Sequence, residues 1–370
     1  MTHIDHHSKP YDEGTLNKLE IFSSYVESWL PTFIMQKNIT EINIVDFFAG
    51  LGYDSEGKPG TPILILEKIN VFFGNLMKNN TIINLFLNEY NSYKYNALVE
   101  NCQSYLNNNS RLKKFVNVHY SNEDFNSIYQ KIIEITSYHP NLFLIDQSGI
   151  KFTNQNNFNT LLKLKRTDFL FFISSSFFKR FSNEDEFSKH LKINEEELSS
   201  NPYNFIHRVV LDKYKSLIPK ESELMIFPFS IKKAANIYGI IFGSKHILGV
   251  EKFLKIAWDK NRVNGEADYD IDEDENKTQL LLNFDNPEQS KQLTKIEAFK
   301  NKVEELLKQK KCVTNKELYY FTCDHGHIAQ HTIGKLRELK RNKNINYKGH
   351  TKISWDAIHK SDLVTFRWIK

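Results

Sequence analysis

Several carboxylates and a pair of glycines have the types and spacing to hold a hydroxyl-rich ligand. The stretch "DFFAGLGYDSEGKPGTP" sets Asp46, Phe48, Gly50 and Gly52 directly after the apolar run 42–45. A glycine has no Cβ, so backbone there passes close beneath a ligand. Glu89 follows Gly50 by 39 residues and is placed to accept hydrogen bonds from both hydroxyls of a ribose. Asp124 is placed to accept from an adenine amino group, with Phe125 against the ring. Asp146 is the candidate for a catalytic or acceptor-orienting acid. Each residue also has a plain structural alternative. The glycines serve a tight turn, Glu89 opens a helix, Asp124 caps one, Phe125 fills core, and Asp146 is a structural acid.

The glycines are followed by some ten residues before Thr61 as N-cap and Pro62 as first-turn proline start a helix. Neither GxGxxG nor GxxxxGK[ST] occurs, so both common phosphate cradles are missing. The expected ligand is a phosphate-free adenosine cofactor, S-adenosylmethionine.

Positioning these residues at one edge requires a sheet. Short apolar runs at 42–48, 81–88, 114–119, 141–146, 168–173, 223–229 and 237–243 alternate with helical stretches at 62–78, 91–106, 124–136, 154–165, 184–218 and 246–259. A leading helix covers 15–35. Near-continuous apolar strands separated by helices predict a parallel sheet covered on both faces. Only "SIKKAAN" joins the last two strands, too short for a crossover, so they pair antiparallel. The expectation is an α/β chain with the seven-stranded, Rossmann-like class I methyltransferase fold. In such a sheet the ligand lies outside the carboxyl ends of the strands, where the candidate acids fall.

The end of the chain is different. Residues 311–370 hold twelve Lys/Arg against five Asp/Glu, and Glu266–Glu275 holds seven acids and no base. The latter reads as a solvated linker, giving domains 1–265, 266–290 (linker) and 291–370. Helix 291–309, a capping box at Thr314 and Glu317, a second helix from His327 to Asn342, and strands "NINY" and "TKIS" around Lys348–His350 outline a winged helix. Lys335, Arg337, Lys340, Arg341 and Lys348 are its candidate nucleic-acid contacts, with Lys343 and Lys352 beside them. Cys323, His325, His327 and His331 are closely spaced, but no second ligand cluster completes a zinc site, and no metal is expected.

With those blocks laid out, "DFFAGLGYDSEGKPGTP" resembles the "D.FAG.G…G(S/T)P" motif of the three-Cys-motif partner (TcmP) family. "NLFLIDQSG" is similar to its "FIDPFG" strand, and "FLKIAWDKNRVNGEADYDI" to its "K.AW..D..TGE..Y.I" segment. The leading helix "LNKLEIFSSYVESWL" and the C-terminal "VTNKELYYFTCDHGHIAQHTIGKLRELKRNKNI" match as well, so the resemblance runs through nearly the whole chain. It implies a methyltransferase-like fold, bacterial origin, and a partner protein encoded nearby that carries the three cysteines. Cys102, Cys312 and Cys323 here are not those cysteines.

The acceptor is less defined. Enzymes that methylate exocyclic amines carry (Asp/Asn)-Pro-Pro-aromatic after the fourth strand. Here that loop is Asp146-Gln147-Ser148-Gly149-Ile150, without prolines or aromatic. No cysteine lies there, which removes a C5-cytosine mechanism. Ser174, Ser175 and Ser176 line the same cleft without an identified role. Two readings stand: an S-adenosylmethionine-dependent methyltransferase acting on nucleic acid, or a non-catalytic cofactor- or nucleotide-binding subunit that docks nucleic acid or a partner, in the setting of anti-phage defence. Scattered cysteines fit a reducing cytoplasm. No apolar leader or run of membrane-spanning length is present, and His3, His6 and His7 are expected to be disordered. Abundant Asn, Lys, Ile and Phe match an AT-rich coding sequence, so Asn-rich patches such as 107–109 receive little weight.

Overall fold

The computed structural model describes residues 10–136, 138–146, 154–174, 205–233, 236–280, 292–361 and 363–369. It divides into two compact units, Met1–Lys245 and His246–Lys370.

The first unit is built on strands β1 (Glu41–Asp46), β2 (Ile82–Asn88), β3 (Val116–Ser121), β4 (Asn141–Asp146), β5 (Thr167–Ser174), β6 (Met225–Lys233) and β7 (Asn236–Ser244). Their order is β3-β2-β1-β4-β5-β7-β6. Strands β1 to β5 run parallel, and β7 is antiparallel to both β5 and β6. This is the class I methyltransferase fold expected from the alternating runs. β1 is central and buried along nearly its whole length, as a parallel strand covered on both faces must be.

Helix α1 (Glu13–Ile34) is capped by Asp12, whose side chain accepts from the Thr15 amide at 2.9 Å. Its buried face carries Leu19, Phe22, Tyr25, Val26, Trp29 and Leu30, the helical spacing read in the sequence. The helix expected over 62–78 is two, α2 (Thr61–Val71) and α3 (Phe73–Asn79), parted at Phe72. α2 takes Gly60 rather than Thr61 as its N-cap. α4 (Ser92–Asn108), α5 (Phe125–Thr136) and α6 (Gln155–Leu161) follow β2, β3 and β4. Of the stretch 184–218, α7 (Ile206–Leu217) is described.

A row of side-chain amides crosses the sheet. Asn117 Nδ2 donates to Asn84 Oδ1 (3.1 Å), Asn84 to Asn43 (3.2 Å), Asn43 to Asn141 (2.9 Å), and Asn141 to Thr167 Oγ1 (3.0 Å). These residues are register partners across β3, β2, β1, β4 and β5. The asparagines that a biased composition seemed to explain thus satisfy one another in the sheet, where Asn43 and Asn141 are buried and an unmet amide is costly.

In the second unit, α8 (Ile247–Lys260) and α9 (Asp274–Leu280) precede α10 (Lys295–Lys310), β8 (Cys312–Thr314), α11 (Asn315–Asp324), α12 (Ala329–Arg341), β9 (Ile345–Asn346), α13 (Trp355–Lys360) and β10 (Thr365–Trp368). Capping boxes at Thr294/Glu297 and Thr314/Glu317 open α10 and α11. The small sheet is ordered β8-β10-β9, all antiparallel. The partner of β9 is therefore Thr365–Trp368 and not "TKIS", which is irregular and ends at Ser354, the N-cap of α13.

The unit boundary also falls earlier than the acidic run implied. The Trp258 ring lies over Gly265, where a Cβ would come within 2.3 Å of it, and Gly265 has φ 60°. Trp258 Nε1 donates to Gly326 O at 2.9 Å, tying α8 to the winged helix. The acids are not simply solvated. Glu266 pairs with Lys295 at 2.7 Å. Buried Asp274 accepts from the Lys295 amide at 2.9 Å, and Asp270 accepts from the amides of Asp274 and Glu275. Ala267 and Ile271 are buried between them. Residues 281–290 of the expected linker lie outside the described residues.

Candidate functional site

The carboxyl ends of β1, β2 and β4 bring together most of the expected cofactor residues. β1 ends at Asp46, which is almost fully buried and whose Oδ1 accepts from the Phe48 amide at 3.0 Å. Burial first, and the nearby charges of Asp146 and Glu89 after it, push the Asp46 carboxyl up to about 7 against the pull of the Phe48 amide and Lys18. Gly50 and Gly52 have φ of 68° and 97°, a region that side chains disfavour. A Cβ on Gly52 would meet Asn101 at 3.3 Å, and Asn101 Nδ2 donates to Leu51 O at 2.8 Å.

Glu89 stands just past β2, half-buried. Its Oε2 accepts from the Gly50 amide at 3.1 Å and its Oε1 from the Asn91 amide at 2.8 Å. The carboxylate thus reaches back from β2 onto the glycine loop. Asn88 beneath it was not anticipated. Buried, it donates to Phe47 O and Glu123 O and accepts from Ser121 Oγ and the Glu123 amide. One amide therefore fastens the ends of three neighbouring strands.

The other two cofactor candidates behave differently. Asp124 is exposed, and its Oδ1 accepts from the Asn126 amide at 2.9 Å, at the head of α5. Phe125 is buried and packs on Phe47 and Tyr129. Phe48 stacks face to face on it, at 5.4 Å between centroids and 13° between planes. Phe48 is half-buried.

The ten-residue spacer is a closed turn. Tyr53 bridges Pro59, and the Gly60 amide donates to Gly52 O at 2.7 Å. Asp54 accepts from the amides of Tyr11, Glu56 and Lys58 at 2.8 to 2.9 Å. Those N–H groups are consumed by a carboxylate, so the loop does not present them to a phosphate.

Asp146 at the end of β4 forms an ion pair through Oδ2 with Lys18 of α1. Lys18 is buried, and its ammonium also lies 4.7 Å from the centre of the Phe172 ring. Tyr11, ahead of α1, sits with its hydroxyl against Gly60. Burial first, then Asp54, Asp146 and Asp46, hold that phenol well above its ordinary range. Lys18 and Tyr11 escaped the sequence reading. A signal for Lys18 existed, as it falls four residues after Gly14 and seven before Tyr25 on the apolar face of the leading helix. Gln147–Ile150, Ser175, Ser176, His3, His6 and His7 lie outside the described residues; Ser174 closes β5.

In the second unit, Arg337, Lys340, Arg341 and Lys348 are exposed. Arg337 and Arg341 share one face of α12 with Gln330 and Gly334, and Lys340 Nζ lies 3.9 Å from the centre of the Tyr347 ring. Lys335 is a correction. It is buried and its ammonium contacts Glu304 at 2.8 Å and Glu338 at 2.7 Å, which turns its charge inward. The histidines form an aromatic cluster. His327 stacks on Phe299 (3.9 Å, 9°), His331 lies edge-on to Trp258, and the two share an Nδ1···Nδ1 hydrogen bond of 3.0 Å. One ring must donate and the other accept, so the accepting ring is neutral. Among the described residues no group of His, Cys, Asp or Glu is arranged to hold a metal ion. No helix among them is long and apolar enough to cross a membrane.

Residues 268–351 match the family model described as a GMT-like wHTH domain. No curated protein matches the chain. Among solved structures it is similar to the O-methyltransferase TomG from Streptomyces achromogenes, involved in tomaymycin synthesis and in complex with SAM. The identity is 10%, over 63% of this chain and 90% of that one, with a TM-score of 0.32. It is also similar to Trm1 from Pyrococcus horikoshii in complex with S-adenosyl-L-methionine (9%, 82% and 88%, 0.37) and to the METTL16 MTase domain (10%, 60% and 66%, 0.30). The fold assignment rests on the strand order of the chain itself.

Proposed function

We propose that the chain is an S-adenosylmethionine-dependent methyltransferase that engages nucleic acid through its winged helix. The observation that carries the reading is the Gly50 amide bonded to the Glu89 carboxylate across the ends of β1 and β2. That bond sets a carboxylate beside a glycine loop at the edge where such sheets take ligands. In this reading Glu89 accepts the ribose hydroxyls, and Gly50 and Gly52 let the chain run beneath the sugar and the methionine portion. Asp46 fixes the loop through Phe48, Asp124 accepts from the adenine amino group, and Phe125, stacked on Phe48, lies against the ring.

The donor set fits this cofactor. Asp46, Glu89 and Asp124 gather carboxylates at one edge, which suits hydroxyls and a cationic ligand and repels phosphates. When bound, the cofactor supplies an electrophilic methyl group. Resemblance to the three-Cys-motif partner family supports a protein partner. The exposed basic face of α12, within a winged-helix unit, supports nucleic acid.

Calorimetric titration with S-adenosylmethionine and S-adenosylhomocysteine tests the reading directly. Wild-type protein should bind both. Glu89→Ala should lose binding by about 100-fold or more while its melting temperature stays within a few degrees, since two charge-assisted hydrogen bonds to the ribose are removed. A wild type that binds neither ligand, or a variant that binds as well, would overturn it. A non-catalytic cofactor-binding subunit would bind both ligands and transfer no methyl group to RNA or DNA.

A further inference from the structure

The ion pair at the end of β4 restricts what the acceptor can be. Lys18 and Asp146 meet there, donor beside acceptor, with the Phe172 ring packed under the ammonium. Lys18 is nearly sequestered from water while the Asp146 side chain keeps 23% of its exposure. The carboxylate is the more exposed of the two, and the ammonium stands beside it. Among the described residues no hydrogen bond engages Asp146 Oδ1.

An exocyclic amine has two N–H groups and one lone pair, which must attack the methyl carbon. It needs two acceptors, and an ammonium at its side competes for the lone pair. A hydroxyl has one proton and two lone pairs. It attacks with one, accepts from an ammonium with the other, and gives its proton to a carboxylate. A Lys–Asp pair matches the second inventory and not the first.

We propose, resting on the methyltransferase reading above, that the acceptor is a hydroxyl oxygen, and that within a nucleic-acid chain it is the ribose 2′-hydroxyl of RNA. That group is the internal hydroxyl which RNA carries and DNA lacks. In the step, the hydroxyl oxygen forms a bond to the methyl carbon and the carbon–sulfur bond breaks, its electron pair leaving with the sulfur as a neutral thioether. The hydroxyl becomes strongly acidic as the new bond forms, and Asp146 Oδ1 takes its proton and later returns it to water. Lys18 orients Asp146 through the ion pair and the hydroxyl oxygen through a second N–H.

The test incubates the full-length protein with S-adenosylmethionine carrying a labelled methyl group and a mixed-sequence RNA, or DNA of the same sequence. The labelled product is digested to nucleosides. Label in RNA alone, on the ribose oxygen and within an alkali-resistant linkage, is the expected result. Label on a base nitrogen or carbon, or in DNA, would overturn the hydroxyl assignment and leave the methyltransferase reading standing. Cofactor binding without transfer to either nucleic acid would also overturn it, whereas failure to bind cofactor would remove the underlying reading. In parallel, Lys18→Met and Asp146→Asn should each lower transfer by about 100-fold or more with cofactor affinity unchanged. Lys18→Arg, which keeps the charge, should recover part of the rate. A purely structural Lys18 would instead lower melting temperature and cofactor affinity together, with Lys18→Arg no better than Lys18→Met.

Discussion

Asp46 is a carboxylic acid enclosed by β1 and its neighbours, with its Oδ1 bonded to the Phe48 amide. Its carboxyl is raised to about 7, chiefly by burial, against an ordinary value near 4 for the unfolded chain. Between those values the folded protein holds a proton that the unfolded chain has released. Stability therefore falls as pH rises through that window. Asp46→Asn keeps the bond to Phe48 and removes the titration. Its unfolding free energy, followed by denaturant melts from pH 4 to 7.5, should fall less steeply than that of the wild type, by up to about 1.4 kcal/mol per pH unit. Parallel pH profiles for the two proteins would refute the assignment. The same comparison at pH 7.5 should find the variant at least as stable as the wild type. The candidate edge was legible in part. Asp46, Gly50, Gly52 and Glu89 stand out by type and spacing after apolar runs. Lys18 is marked only by its place on the apolar face of its helix and Asn88 not at all, because their partners lie far along the chain.

At the scale of elements, α1 does more than cover the sheet. Gly14, Lys18 and Tyr25 follow one face of the helix. They meet Lys233 of β6, Asp146 of β4 and Asp168 of β5 respectively, the last through a 2.7 Å hydrogen bond. The amphipathic pattern located the helix, but not which strands it would cross. The wing was misread for a related reason. A two-residue strand such as β9 has no pattern of its own, and its partner is chosen by packing of the C-terminal segment onto β8. In the second unit the His327–His331 pair joins α12 to the aromatic cluster. Burial first, then charges around them, lower His327 to about 2 and His331 to about 4. The unfolded values lie near 6.5. Both depressed bases add stability that is present in full above pH 6.5 and is lost as pH falls, because the unfolded chain takes up protons the fold refuses. Thermal melts of the full-length protein should show the transition of the winged-helix unit dropping between pH 7 and pH 5. His327→Phe, which preserves the stacking on Phe299, should flatten that drop by up to about 1.4 kcal/mol per pH unit. An equal drop in wild type and variant would remove the histidines from the explanation.

For the molecule as a whole, two compact units divide the chemistry. The first gathers acids at the edge of a sheet, and the second displays bases on the face of a helix. The charge surplus of residues 311–370 foretold the second but not its distribution. Lys335 belongs to the count and not to the surface, since helical spacing sets it against Glu304. Binding of RNA by the intact protein, measured at several salt concentrations, distinguishes these lysines and arginines. Arg337→Gln and Arg341→Gln should each flatten the dependence of log affinity on log salt by about 0.7 to 0.9, the loss of one phosphate contact. Lys335→Gln should leave that slope alone. Slopes indifferent to all three changes would assign the basic face to another task.

The amide row across the sheet has a consequence for how the edge is made. Asn117, Asn84, Asn43, Asn141 and Thr167 are linked head to tail, each donating in the same sense. Sliding β2, β1 or β4 by a single position would turn its asparagine to the opposite face and cut the row on both sides. The row thus works as an alignment gauge set near the start of the strands. Asp46 lies three positions beyond Asn43, and Asp146 five beyond Asn141. Asp46 therefore falls level with Leu144, and Asp146 two positions beyond it on the same face, an offset that is fixed because the counting begins at the same mark at the opposite end of the sheet.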